Sequence, residues 1–258
     1  MFISRRRSRR RGKMGQSWNG GGVRTLVQVL ATGRQHLLCP HFKARDLGQI
    51  RWTRLREAGC RAVVFDKDNT LTAPYSPSVH PLVQSSFGEC VSVFGKEGVV
   101  VFSNSAGSPD DPRHAEALQL ERTLGVPVLR HLQKKPLGYA SVREHFARIH
   151  QELHNNKKNP SPSSSSLPAI PTAQETVVVG DRYLTDVLFG NLHGLLTVHT
   201  RLLTAEGEKP IVKLIRRWEE AYVQHVLEER RQLKPPPHPL AERCPDLLLP
   251  EEEEEEVQ

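Results

Sequence analysis

Short apolar runs alternate with longer stretches of helical period through the middle of the chain. Strands are expected at 61–65, 99–102, 126–130, 176–179 and 195–199, all short and most of them rich in Val. Helical patterns lie between them, near 80–94, 110–124, 137–153 and 184–193. This alternation predicts an α/β fold: a doubly wound parallel sheet covered on both faces. Such sheets bind ligands beyond the carboxyl ends of their strands.

Two more helical patterns flank this core. Over 23–38, Val23, Leu26, Val27, Leu30 and Leu37 share one side, while Arg24, Gln28, Arg34 and Gln35 fall elsewhere on the wheel. A basic amphipathic helix of this kind either lies on an anionic bilayer or packs on the domain. The last helix, 209–233, sets Ile211, Leu214, Ile215, Trp218, Tyr222 and Val226 on one side. That side is expected to pack on the sheet, with Lys213, Arg216 and Arg217 as a second candidate membrane contact.

Composition then sets the boundaries. The stretch HNNKKNPSPSSSSLPAIPTAQ, 154–174, is rich in Ser and Pro and reads as a mobile surface insertion. Beyond 233, KPPPHP and the run Glu251 to Glu256 read as a disordered tail. The chain therefore divides into an Arg-rich segment at 1–22, a helix and lead-in at 23–44, a domain at 45–233 and a tail at 234–258. No apolar run approaches the roughly 20 residues of a membrane span.

The formal charge is +7, but it is unevenly placed. Residues 1–45 hold nine Arg and two Lys with no acid before Asp46, and the remainder apart from the terminal Glu run is close to neutral. The basicity belongs to an arm and not to a face of the domain. An acid-free, Arg-rich start fits an organelle-targeting segment or a disordered basic arm, and Met14 offers a second start. Cys39, Cys60, Cys90 and Cys244 are scattered without CxxC spacing, which argues against a disulfide scaffold and a zinc site.

Polar clusters follow four of the strands. They are Asp66-Lys67-Asp68-Asn69-Thr70, Ser103-Asn104-Ser105, Lys134-Lys135-Pro136 and Gly180-Asp181-Arg182-Tyr183-Leu184-Thr185-Asp186. Each alone is weak: a DxD suits any polar loop, KKP is a common solvated corner, and Asp181 can simply cap a helix. Together, in this order and each at a strand's carboxyl end, they resemble the haloacid dehalogenase-like (HAD) phosphohydrolases over about 61–200.

The resemblance implies a role for each residue. Asp66 becomes the nucleophile and a Mg²⁺ ligand; Asp68 becomes the general acid/base and a ligand through its backbone carbonyl. Thr70 supports the loop, Ser103 and Asn104 donate to the transferring phosphoryl group, and Lys135 neutralises its charge. Asp181 completes the Mg²⁺ site and Asp186 stands behind it; Lys134 remains an alternative to Lys135. The chemistry is coherent, because a carboxylate that accepts a phosphoryl group splits one displacement into two easier ones. A hard cation relieves the repulsion between the two anions.

The connections between the motifs are too short for a sizeable cap domain, so an open site facing a phosphate on something large is expected. FDKDNTLTAPYS, VFSNSAG, VLRHLQKKPLG and VVGDRYLTDVLFGNLHGLLTV are similar to the mitochondrial or plastid phosphatidylglycerophosphate phosphatase family, over roughly 23–220. That resemblance implies hydrolysis of phosphatidylglycerol phosphate to phosphatidylglycerol and phosphate, feeding cardiolipin synthesis. It also implies an anionic phospholipid partner, reached peripherally on the matrix side of the mitochondrial inner membrane or in a plastid, with no nucleic acid. The oligomeric state is left open. Two other readings stand beside it. One is a phosphatase for nucleic-acid ends or phosphoproteins; the other is a non-catalytic binding protein, which would need a broken motif, and none is broken.

Overall fold

Valines become strands here because their branched side chains pack well on both faces of a pleated sheet. A computed structural model of the chain describes residues 20–156, 169–208, 210–229 and 233–250. Most of the Arg-rich start, most of the Ser/Pro-rich insertion and the Glu251 to Glu256 run lie outside the described residues. The strands are β1 (Phe42–Ala44), β2 (Ala62–Phe65), β3 (Val99–Val101), β4 (Thr176–Gly180) and β5 (Leu196–Thr200). All pair in parallel, in the order β1-β5-β4-β2-β3. The expected α/β class and parallel sheet are what the chain adopts.

Successive residues of a strand point to opposite faces, and the two cores follow from that. Val63 and Phe65 of β2 enter one core with Trp52 and Leu55 of α2 (Trp52–Glu57), Phe87 of α3 (Pro81–Phe94) and Leu120 of α4 (Ala115–Leu124). Ala62 and Val64 enter the other, against Val142 and Phe146 of α5 (Tyr139–Asn156) and Phe189 of α6 (Leu188–His193). Burying a Val or Phe side chain contributes about 1.5–3 kcal/mol, so these two layers hold the sheet rigid beneath its strand ends.

Chain order sets where those ends become useful. After β2 the chain moves to β3 on one side, whereas after β4 it moves to β5 on the other. The paired strands β2 and β4 are therefore the switch point at which an open α/β sheet leaves a crevice.

Four expectations need correction. The stretch 126–130 is not a full strand: it meets β3 in a single bridge, Val101 with Val128, with hydrogen bonds from Val101 N to Pro127 O and from Leu129 N to Val101 O. Pro127 has no N–H with which to extend the ladder. Conversely, β1 is an edge strand of three residues, too short to leave a pattern.

The stretch 234–250 is not a loose tail. Leu240 of α8 (Pro239–Arg243), Cys244 and Leu247 are buried in the first core. Arg51 N donates to Leu247 O at 2.9 Å and Leu249 N to Gln49 O at 2.8 Å. Asp246 pairs with Arg51 and Arg54.

The last correction is the long helix α7 (Pro210–Glu229), which packs the opposite way from its hydrophobic pattern. Arg216 and Glu219 are buried at 8% and 1% exposure, while Leu214 and Trp218 stand 63% and 54% exposed. Arg216 is therefore not a surface cation. The charged side turns inward onto partners of opposite charge, Arg216 onto Asp181 and Glu219 onto Arg182. Helix α1 (Gly20–Ala31) and the 3₁₀ turn Gln35–Leu38 take the packed alternative: Val29, Leu37 and Leu38 join Tyr183, Val187, Leu188 and Val223 of α7.

Candidate active site

Phe102 N donates to Phe65 O at 2.8 Å and Asp66 N to Val179 O at 2.9 Å, so strand pairing continues to the last residue before each loop. Adjacent strands lie about 4.8 Å apart. Asp66, Ser103 and the Gly180-Asp181 step are thus neighbours at one sheet edge.

The turn after β2 is tight. Asn69 takes a left-handed φ of 62°, which Asn tolerates, and Leu71 N and Thr72 N both donate to Lys67 O. Gly180 is required by close approach: a Cβ there would come within 2.4 Å of the Asp186 carboxyl carbon.

Lys135 is the centre of the site. Its buried Nζ lies 2.6 Å from Asp66 Oδ1 and in direct contact with Asp186 Oδ1. Burial alone would push this ammonium down, but Asp186 and Asp66 outweigh it and hold it above its ordinary value. Lys134 instead pairs with Asp110 at 2.6 Å, so of the two candidate lysines it is Lys135 that enters the carboxylate cluster.

Asn104 helps to place Lys135, its Oδ1 accepting from Lys135 N at 2.8 Å. Ser103 Oγ accepts from Ser105 N and Ala106 N, capping its own turn. Thr70 is buried, and its hydroxyl has no hydrogen-bond partner among the described residues.

Asp66, Asp181 and Asp186 each bring a carboxylate oxygen within 4.8 Å of the others. Burial pushes the Asp181 and Asp186 carboxyls upward, with Arg216 opposing at the first and Lys135 at the second. Arg216 approaches Asp181 Oδ2 to 2.6 Å, yet neither Asp181 oxygen accepts a hydrogen bond of good geometry. The contact is one of charge and leaves lone pairs for a cation. Three hard oxygen donors in a buried cluster fit Mg²⁺.

Asp68 stands apart from that cluster. Its Oδ1 lies 2.5 Å from Lys67 Nζ and accepts from Tyr75 N, and 37% of its side chain is exposed. The protein around it disfavours its charged form, and the adjacent Asp66 adds to that; the net effect raises its carboxyl above the ordinary value despite Lys67.

Sequence reasoning missed a chain of residues behind the cluster. Asn69 Nδ2 donates to Glu208 Oε1 at 2.9 Å, Glu208 pairs with Arg216 at 2.7 Å, and Arg216 reaches Asp181. Glu219 binds Arg182 at 2.8 Å and accepts from Leu184 N. The available signal was Arg216 and Glu219 at i, i+3 spacing opposite an apolar stripe.

A model of the family described as mitochondrial PGP phosphatase matches residues 21–159 and 163–202. The chain is 40% identical over 210 residues to a chloroplastic phosphatidylglycerophosphate phosphatase of Chlamydomonas reinhardtii, covering 81% of this chain and 69% of that one. It is 40% identical over 229 residues to a chloroplastic/mitochondrial one of Arabidopsis thaliana, covering 88% of this chain but only 58% of its relative. A mitochondrial phosphatidylglycerophosphatase of Saccharomyces cerevisiae is 32% identical over 153 residues, which make up 59% of this chain and 73% of that one. No solved structure matches. The four strand-end loops all fall inside the matched residues, and the chain belongs to the mitochondrial PGP phosphatase family.

Proposed function

We propose that the protein hydrolyses phosphatidylglycerol phosphate to phosphatidylglycerol and phosphate by HAD-type chemistry. The observation that carries this reading is the buried contact of Lys135 with Asp66 and Asp186, with Asp68 two residues along the same turn. Asp66 attacks phosphorus; the bond to the glycerol oxygen breaks, and Asp68, its carboxyl raised toward the protonated form, gives that oxygen its proton. Asp68, now a carboxylate, takes a proton from water as the water attacks the aspartyl-phosphate, which frees phosphate and regenerates Asp66. Lys135 holds Asp66 in place and neutralises the phosphoryl oxygens, as the backbone-anchored Ser103 loop donates to them. Mg²⁺ held by Asp66, Asp181 and the Asp68 carbonyl, with Asp186 beside them, would screen the two anions from each other.

Two further observations support a lipid substrate. Relatives carry phosphatidylglycerophosphate phosphatase names. Among the described residues, the β2–β3 connection holds the single α-helix α3, so no inserted domain closes over the turn. The reading carries with it a role in supplying phosphatidylglycerol for cardiolipin. It also carries a location on the matrix side of the mitochondrial inner membrane, or in a plastid.

The test is phosphate release from phosphatidylglycerol phosphate in mixed micelles, with Mg²⁺ and then with EDTA, in wild type and Asp66→Asn. Metal-dependent release that the variant abolishes is expected. Cleavage of a small phosphate ester with the lipid left intact would remove the substrate assignment and keep the chemistry.

A further inference from the structure

Helix α7 exposes the wrong face for a helix that only packs on a sheet. At about 100° per residue, Leu214, Ile215, Trp218 and Tyr222 share one side. Leu214 and Trp218 lie farthest round the helix from the buried Arg216, Glu219 and Val223, and Tyr222 is half-buried at the margin of the stripe. Single exposed apolar residues need no explanation, but a contiguous stripe marks an interaction site. Trp218 stacks on Tyr222 with ring centroids 5.5 Å apart, giving an aromatic pair of the kind that settles where hydrocarbon meets head groups.

We infer that this face of α7, with Val23 and Val27 of α1, docks the protein on a bilayer containing anionic phospholipid. The inference rests on the lipid-phosphatase reading and adds to it the surface that presents the substrate. Val23 and Val27 are exposed on α1, which shares a core with α7. Exposed Arg217 and half-buried Lys213 flank the α7 stripe and Arg24 lies on α1, a basic border suited to acidic head groups; Glu220 is the one exposed acid described on α7. A second copy is a poorer occupant, because a twofold contact through this face would bring two basic borders together.

The surface adjoins the site through both helices. From its inner side α7 holds Asp181 by Arg216 and the Arg182–Leu184 turn by Glu219. The start of α1 meets Leu137, two residues beyond Lys135: a Cβ on Gly21 would come to 3.1 Å from its side chain. Leu132, on the same loop as Lys135, is 86% exposed. A bilayer against these segments brings its head-group phosphates to the mouth where Asp66 stands.

The test uses the full chain and vesicles of phosphatidylcholine, with and without phosphatidylglycerol. Wild type is expected to sediment with the mixed vesicles. The double variant Leu214→Gln, Trp218→Gln should bind them at least about ten-fold more weakly, while cleaving a soluble phosphate ester within about two-fold of wild type. Lys213→Glu with Arg217→Glu should reduce binding to the level seen on phosphatidylcholine alone. Unchanged vesicle binding by the Leu214/Trp218 variant overturns the inference. So does a wild-type dimer that this variant turns into a monomer without loss of vesicle binding. A short-chain, dispersed phosphatidylglycerol phosphate separates the two readings. If wild type cleaves it and vesicle binding ignores the stripe, docking falls and the substrate stands. If wild type cleaves it in no form but cleaves a soluble ester, the substrate falls and the vesicle data decide docking alone.

Discussion

The Arg216 guanidinium lies 2.6 Å from Asp181 Oδ2 and 2.7 Å from Glu208 Oε1. The last long helix thus supplies counter-charge to a loop at the centre of the sheet. Removing one partner of a buried pair costs about 3–5 kcal/mol, because the other is left uncompensated. Arg216→Met should lose stability by that amount without metal, and Mg²⁺ should then raise its melting temperature by more than it raises that of wild type. Thermal unfolding with and without Mg²⁺ checks this; equal metal shifts in the two proteins would show that Arg216 and the cation do not share the charge of Asp181.

The two adjacent lysines should behave very differently. Lys135 is buried between Asp66 and Asp186, whereas Lys134 turns away from that cluster to pair with Asp110. Losing a preorganised cation at a transferring group typically lowers kcat by about 10²–10³. Lys135→Met should show that loss on a soluble phosphate ester, and Lys134→Met should stay within about three-fold, because its ammonium pairs with Asp110 and not with the carboxylate cluster. Comparable losses in both would undo the assignment of Lys135.

What the chain disclosed in advance follows from physical range. The turns after β2, β3 and β4 were legible because each polar cluster directly follows an apolar strand, a relation only a few residues long. The Lys135 loop was legible through its lysine and proline even though its strand at 126–130 shrank to one bridge beside Pro127. The inverted packing of α7 was not legible. Its pattern puts Leu214 and Trp218 inward, and only the distant Asp181 and Arg182 show why Arg216 and Glu219 take that place. The 234–250 strap was hidden for a related reason: its prolines look like a linker, and its partners Gln49, Arg51 and Arg54 lie far back in the sequence.

That strap gives a stability test. Leu247 is fully buried in the first core, and truncating such a residue costs about 2–5 kcal/mol. Leu247→Ala should lower the urea midpoint correspondingly, while Leu249→Ala, 43% exposed, should change it little. A Leu247→Ala protein as stable as wild type would return the segment to the status of a tail.

Buried histidines should make the fold sensitive to mild acid. Burial depresses His145 to about 4 and His199 to about 3, from an ordinary value of 6.5. Protons therefore bind the unfolded chain first. The contribution of these rings to stability is complete above about 6.5 and falls as pH drops toward their folded values, by about 1–2 kcal/mol per ring at pH 5. Asp181 and Asp186, raised by burial, pull the other way, since they bind protons more readily in the folded state. The histidine effect is accordingly read as a difference between proteins. His145→Gln lies away from the carboxylate cluster and leaves the other groups in place. Urea unfolding at pH 7.5 and pH 5 should show wild type losing about 1–2 kcal/mol more than this variant on acidification. Parallel losses in the two proteins would show that the His145 ring takes up its proton as readily folded as unfolded.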